Sequence, residues 1–112
     1  MLPRHLRLPA QIIPVVAKQG KQIFSSDLFH IKLLTDSTAS LWAISVGLKV
    51  SKKAVVRNRI KRLFRAAIIS VDQISDSTPP NGKYLIVARS AAITDMTSVQ
   101  LTEILKSCLS LS

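Results

Sequence analysis

Eight of the sixteen Lys and Arg residues of this 112-residue chain fall within the stretch KVSKKAVVRNRIKRLFR, from Lys49 to Arg65. They are Lys49, Lys52, Lys53, Arg57, Arg59, Lys61, Arg62 and Arg65. No Asp or Glu interrupts them, and none occurs between Asp36 and Asp72. Cations crowded in this way repel one another until a polyanion meets them. Ammonium groups meet phosphate as point charges, and guanidinium forks bond it bidentately. The chemistry on offer is therefore recognition, with nucleic acid as the expected partner. Residues for catalysis are thin. His5, His30 and the single Cys108 lie too far apart for metal-ligand spacing. The six acids are scattered, with no pair placed for two-metal chemistry. Three glycines form no phosphate-cradling loop. No catalytic and no metal-ligating residue is expected.

The basic block is patterned as a helix. From about Ala54 to Ser70, Val56, Ile60, Leu63, Phe64 and Ala67 project to one face, which should bury against a sheet. Arg57, Lys61 and Arg65 follow at four-residue steps along one flank. Asn58 and Arg62 form a parallel row, and Arg59 lies on the far flank. Like charges four apart cost a few tenths of a kcal/mol per pair. Burying five apolar side chains at roughly 1.5–3 kcal/mol each outweighs this. The helix can thus fold while its outer face stays electrostatically unsatisfied.

The elements that must position this helix come from the rest of the pattern. A short helix is predicted from about Gln11 to Gln19, with Pro14 in its first turn and Gly20 as its C-terminal cap. Ile23 and Phe24 suggest a short strand. Leu28–Leu34 alternates, with Phe29, Ile31 and Leu33 on one face and His30 and Lys32 on the other. Asp36–Ser40 is a polar turn, and Leu41–Leu48 a second alternating strand with Trp42, Ile44, Val46 and Leu48 on one side. Ser75–Gly82, with Pro79-Pro80 and Asn81-Gly82, is a loop. Lys83–Arg89 is a strand. A final helix starts near Ser98, where Thr97 and Gln100 have capping-box spacing. Its stripe is Leu101, Ile104, Leu105, Cys108 and Leu111, which makes Cys108 a core residue. The order α-β-β-β-α-β-α gives a small α+β two-layer sandwich, helices on a mainly antiparallel sheet.

The whole chain agrees. Residues 1–112 are long enough for one domain with one core. Hydrophobic residues make up 47% and the net charge is +10, the balance of a packed basic globule. Apolar runs such as Leu41–Leu48 are too short to span a bilayer. Arg4 and Arg7 precede only the short apolar patch Ile12–Ala17, broken by Pro14, so no signal peptide is expected. One cysteine permits no internal disulfide, and a cytoplasmic location follows as the simplest reading.

The string VSKKAVVRNRIKRLFR resembles the signature of the bacterial ribonuclease P protein component. Its core is Arg57-Asn58-Arg59-x-Lys61-Arg62-Leu63-x-Arg65, preceded by Ser51-Lys52-Lys53-Ala54-Val55. Arg7-Leu8, Gly20-Lys21 and Ile86-Val87-Ala88-Arg89 match further points of the family pattern in order, as does an amphipathic C-terminal helix. The resemblance implies a protein subunit that assists a catalytic RNA in removing the 5′ leader from precursor tRNA. It implies Mg²⁺ held mainly by the RNA and none by the protein alone. It also implies a left-handed βαβ crossover around the basic helix, where handedness rules favour a right-handed one.

The implied partners are the catalytic RNA and precursor tRNA, with no membrane and no obligate protein partner. Lys49, Lys52, Lys53, Arg59 and Arg62 are assigned to the catalytic RNA. Arg57, Asn58, Lys61, Arg65 and Arg89 are assigned to the leader, in a groove between the first helix, the sheet and the basic helix. Family members carry aromatics on the groove side of the first helix. Ile12–Ala17 has none, leaving Phe24 and Phe29 as candidates to stack on bases. Gly47-Leu48-Lys49 stands where the family often has Ser-Lys-Lys. Two other classes fit the charge: a ribosomal or other structural RNA-binding protein, and a protein whose basic amphipathic helix meets acidic membrane or an acidic groove. The latter needs a free apolar face, whereas this one is committed to a core.

Overall fold

The computed structural model describes residues 6–35, 40–73 and 82–110. The turn expected at Asp36–Ser40, the loop at Ser75–Gly82 and the side chain of Cys108 lie largely outside them. After a 3-10 turn at Ala10–Ile12 come α1 (Ile13–Gln19), β1 (Lys21–Ser25), β2 (Phe29–Leu34), β3 (Ser40–Ser45), α2 (Ala54–Gln73) and β4 (Gly82–Ala88). A 3-10 turn at Ala91–Asp95 leads to α3 (Ser98–Ser110). The expected α-β-β-β-α-β-α order is present.

The strands form one mixed sheet in the order β1-β2-β4-β3. β1–β2 and β2–β4 are antiparallel, the latter from Phe29 opposite Ala88 to Leu34 opposite Lys83. β3 runs parallel to β4, so the chain passes from one to the other through α2. A parallel pair cannot be joined by a tight turn, and the basic helix is that crossover. β3 is an edge strand, partly covered by residues 6–8. Arg7 bridges to Trp42, and the Leu8 N–H donates to the Trp42 carbonyl at 2.9 Å.

Alternation decides which residues enter which layer. On one face Phe29, Ile31, Trp42, Tyr84 and Ile86 pack against Ile60, Phe64, Ala67 and Ile68 of α2 and Leu101 and Leu105 of α3. Three of the five apolar α2 residues expected to face the sheet, Ile60, Phe64 and Ala67, are fully buried; Val56 and Leu63 are half-buried. The opposite face forms a smaller cluster of Leu8, Val16, Ala43 and Leu85, with Ile12, Ile13 and Ala17 against it. The sandwich of helices on a sheet is as expected, and α1 adds a cover on the second face.

Element ends differ where local sterics rule. Pro14 sits in the first turn of α1, where its missing N–H costs nothing. Gly20 caps α1 as expected, with its N–H donating to the Val16 carbonyl at 2.8 Å, and does so in an extended conformation, φ −67° and ψ 146°. It is glycine because a Cβ would collide with the Val16 carbonyl oxygen and lie 3.3 Å from the Lys32 Cβ. β3 stops at Ser45, closed by a turn in which the Val50 N–H donates to the Gly47 carbonyl at 3.1 Å. Leu48, expected within that strand on the Trp42 side, lies beyond its end and is 64% exposed. The Thr97–Gln100 capping box forms in both directions, at 2.9 and 3.2 Å.

Candidate nucleic-acid interface

The residues expected to meet RNA are carried mainly by α2 and the turn before it. Lys49, Lys52 and Lys53 stand exposed on the approach to the helix. The Lys53 N–H donates to Ser51 Oγ at 3.1 Å, just before the first turn. On the helix, Asn58, Arg59 and Arg62 are exposed, whereas Arg57, Lys61 and Arg65 are half-buried along one flank. That difference is the helical projection made real. A flank beside the apolar face lies down against its neighbours, so its long side chains lose part of their exposure.

The half-buried flank borders a cleft of about 280 Å³ at the open edge of β3. Its walls are Arg7, Leu8 and Ile13 on one side, Trp42, Ala43 and Ile44 along the strand, and Lys61 and Arg65 from α2. Three of these eight residues are cations and none is a carboxylate. A donor set of this kind suits phosphate oxygens and repels divalent cations. Among the described residues, no three His, Cys, Asp or Glu side chains are grouped to hold a metal ion. No helix among them is long and apolar enough to cross a membrane.

The far flank is built differently. Arg59 Nε donates to the Thr94 carbonyl at 3.2 Å, tying α2 to the 3-10 turn before α3. One edge of its guanidinium is thereby engaged, and the side chain is otherwise exposed. Arg62 is exposed beside it on the outer face. The single helix therefore presents cations in two directions.

Two assigned residues stand elsewhere. Phe29 has 0% exposure, so it cannot offer a ring face to a base. Its ring lies 5.2 Å from Phe24 and 5.0 Å from Phe64, and the assignment to leader stacking is corrected to core packing. Strand alternation places it beneath the sheet, opposite α2. Phe24, half-buried on β1, keeps a partly accessible edge. Arg89 is exposed just beyond β4, and its Nη1 donates to Ser25 Oγ at 3.3 Å and to the Ser26 carbonyl at 3.4 Å. It braces the β1–β2 turn and is not among the residues lining the cleft.

Of the eight lining residues, sequence reasoning named only Lys61 and Arg65 for the site and left out Arg7, Leu8, Ile13, Trp42, Ala43 and Ile44. Arg7-Leu8 had a signal in the family pattern. Trp42 had none, because an alternating strand makes an inward tryptophan look like core alone. Its ring stacks on Tyr84 with centroids 4.2 Å apart and planes at 12°. Burial pushes the Tyr84 hydroxyl up to about 12, so it stays protonated. On the other face of the sheet, burial and then the charges of Arg89 and Lys32 hold His30 below 6.5. Lys32 Nζ donates to the Ala17 carbonyl at 2.6 Å and closes the end of α1.

Comparison with known proteins adds what geometry alone does not supply. The family model described as Ribonuclease P matches residues 3–111. A Synechocystis ribonuclease P protein component is 47% identical over 70 residues, 60% of this chain and 56% of that protein. A Listeria innocua ribonuclease P protein component is 39% identical over 80 residues, 69% of this chain and 62% of that one. The aligned stretches thus span little more than half of these relatives. The RNase P protein from Thermotoga maritima has the same fold, with a TM-score of 0.75 at 20% identity over 95% of this chain and 96% of that one. The Staphylococcus aureus RNase P protein superposes with a TM-score of 0.68 at 24% identity, over 95% and 94%.

Proposed function

The chain belongs to the Ribonuclease P family, and on that footing we propose that it is the RNA-binding protein subunit of a ribonuclease P that matures the 5′ end of tRNA. In this reading the protein supplies no nucleophile and no general base. The RNA subunit carries out the Mg²⁺-dependent hydrolysis, and the protein holds two RNAs in register. The observation that carries the reading is the division of α2. Lys61 and Arg65 line the cleft at the β3 edge, while Arg59 and Arg62 project from the exposed remainder of the same helix.

The cleft side takes the single-stranded leader of precursor tRNA, with Arg57 extending the row toward the start of α2 and Asn58 next to it. Contacts to phosphate position a strand without reading its sequence, which suits a subunit that must accept many leaders. The exposed side, together with Lys49, Lys52 and Lys53, takes the catalytic RNA. A cytoplasmic site of action goes with this reading. A structural RNA-binding protein would use the same charge but would not need the two-sided arrangement.

Reconstitution decides between them. The purified chain alone is expected to cleave nothing. Added to its cognate catalytic RNA at low Mg²⁺, it is expected to restore removal of the 5′ leader from precursor tRNA. Equal cleavage by that RNA with and without the chain would overturn the proposal.

A further inference from the structure

Nearly all buried polar atoms in folded proteins have a hydrogen-bond partner, and each exception calls for an explanation, of which a group that arrives on binding is one. Among the described residues, two buried side-chain donors have none: Trp42 Nε1 and Arg57 Nε. Both belong to the β3–α2 side of the molecule. Trp42 is only 1% exposed, and it is among the residues that line the cleft together with Lys61 and Arg65. Arg57 continues the row of those two cations by one further turn of the helix. An unmet neutral N–H on a residue that borders a cationic cleft calls for an acceptor, and the neighbouring charge favours an anionic one.

We propose that the Trp42 indole N–H is a positioning donor of the cleft, giving a hydrogen bond to a non-bridging phosphate oxygen of the single strand held by Lys61 and Arg65. This rests on the reading of the cleft as a single-strand site. Because the indole N–H is buried in the free chain, this bond requires Lys61 and Arg65, which line the same cleft, to move toward phosphate and open a path to the indole edge. The cations then supply attraction that is insensitive to direction, and the indole supplies direction. The backbone carbonyl of the same residue already accepts from the Leu8 N–H at 2.9 Å, and its ring is stacked on Tyr84. The donor is thus held on a rigid mount, as a positioning group requires.

The chain contains one tryptophan, so its indole N–H gives a single, unambiguous nitrogen-edited NMR resonance. The ¹⁵N-labelled full chain is titrated with two short single-stranded RNAs, an oligo-A and an oligo-U. The indole resonance should move downfield and exchange more slowly with solvent, to the same extent for both, because the phosphate is common to them. A static indole resonance while the Lys61 and Arg65 backbone amides move would sink the inference and leave the cleft reading intact. A shift with one base only would make a base carbonyl the acceptor and overturn the phosphate assignment. No movement at Lys61, Arg65 or Trp42 would overturn the cleft reading itself. As a second measurement, Trp42→Phe keeps an aromatic ring against Tyr84 and removes the donor. Its affinity for leader-bearing RNA should fall about fivefold, with affinity for leaderless tRNA unchanged. Equal affinity of Trp42→Phe and wild type for leader-bearing RNA would contradict the proposal.

Discussion

The Phe29 and Phe64 rings meet edge to face, centroids 5.0 Å apart at 76°, and this contact seats the basic helix on the sheet. Both residues have 0% exposure. Phe29→Ala should therefore act on folding and not on recognition. Truncating a buried phenylalanine costs about 3–5 kcal/mol. Chemical denaturation should show a loss of that order, while the folded fraction binds leader-bearing RNA with wild-type affinity. A normal stability with weakened leader binding would return Phe29 to the site.

Gly20 is held by close approach alone. A methyl group there meets the Val16 carbonyl oxygen and the Lys32 Cβ, and Lys32 also closes the end of α1 through Ala17. Gly20→Ala should cost about 1–3 kcal/mol, the range of an overpacked site. Thermal melts check the cost. A neutral outcome would mean that α1 shifts freely on the sheet.

His30 gives a pH signature. Burial, then Arg89 and Lys32, lower its folded value below 6.5, so the folded chain binds fewer protons there than the unfolded one. Its contribution is fully present above 6.5 and is lost as pH falls from 6.5 toward the lower folded value. Denaturant melts across that window should show wild-type stability falling with acidity more steeply than His30→Gln. Parallel curves for the two proteins would remove His30 as the cause.

RNA affinity should depend steeply on salt. If about six phosphates are neutralised, binding weakens about a thousandfold between 50 and 200 mM monovalent salt. Each cation removed lowers the slope by about one. Lys61→Ala should do so for leader-bearing RNA and Arg62→Ala for the catalytic RNA. Filter-binding titrations at several salt concentrations test both, and identical effects of the two substitutions on both RNAs would dissolve the two-sided helix.

Much of this arrangement was legible in the chain itself, for reasons that differ by element. The α2 face could be read because Ile60, Phe64 and Ala67 obey a helical period that tertiary packing then rewards. The capping box at Thr97 and Gln100 is local, and local rules suffice. The two-sidedness of Arg57, Lys61 and Arg65 against Arg59 and Arg62 follows from the same period. What alternation hides is whether an inward aromatic lies deep under the sheet, as Phe29 does, or belongs to a residue that borders a cleft at the sheet edge, as Trp42 does. That depends on strand order, and the placement of β3 at the rim beside β4 is a long-range pairing. Gly20 could be read as the cap of α1, but not the reason for it: most glycines after a helix are there for backbone freedom, whereas this one is there for lack of room.

The pairing of Arg7 and Leu8 with Trp42 has a consequence beyond the cleft. A strand at the rim of a sheet offers open backbone groups that another chain can zip onto. The few residues before α1 act as a selvedge, finishing that rim so that it does not fray into its neighbours. Trimming them away would leave the border of β3 bare, and such a shortened protein should clump through strand-to-strand adhesion even though every cation of the helix is still in place.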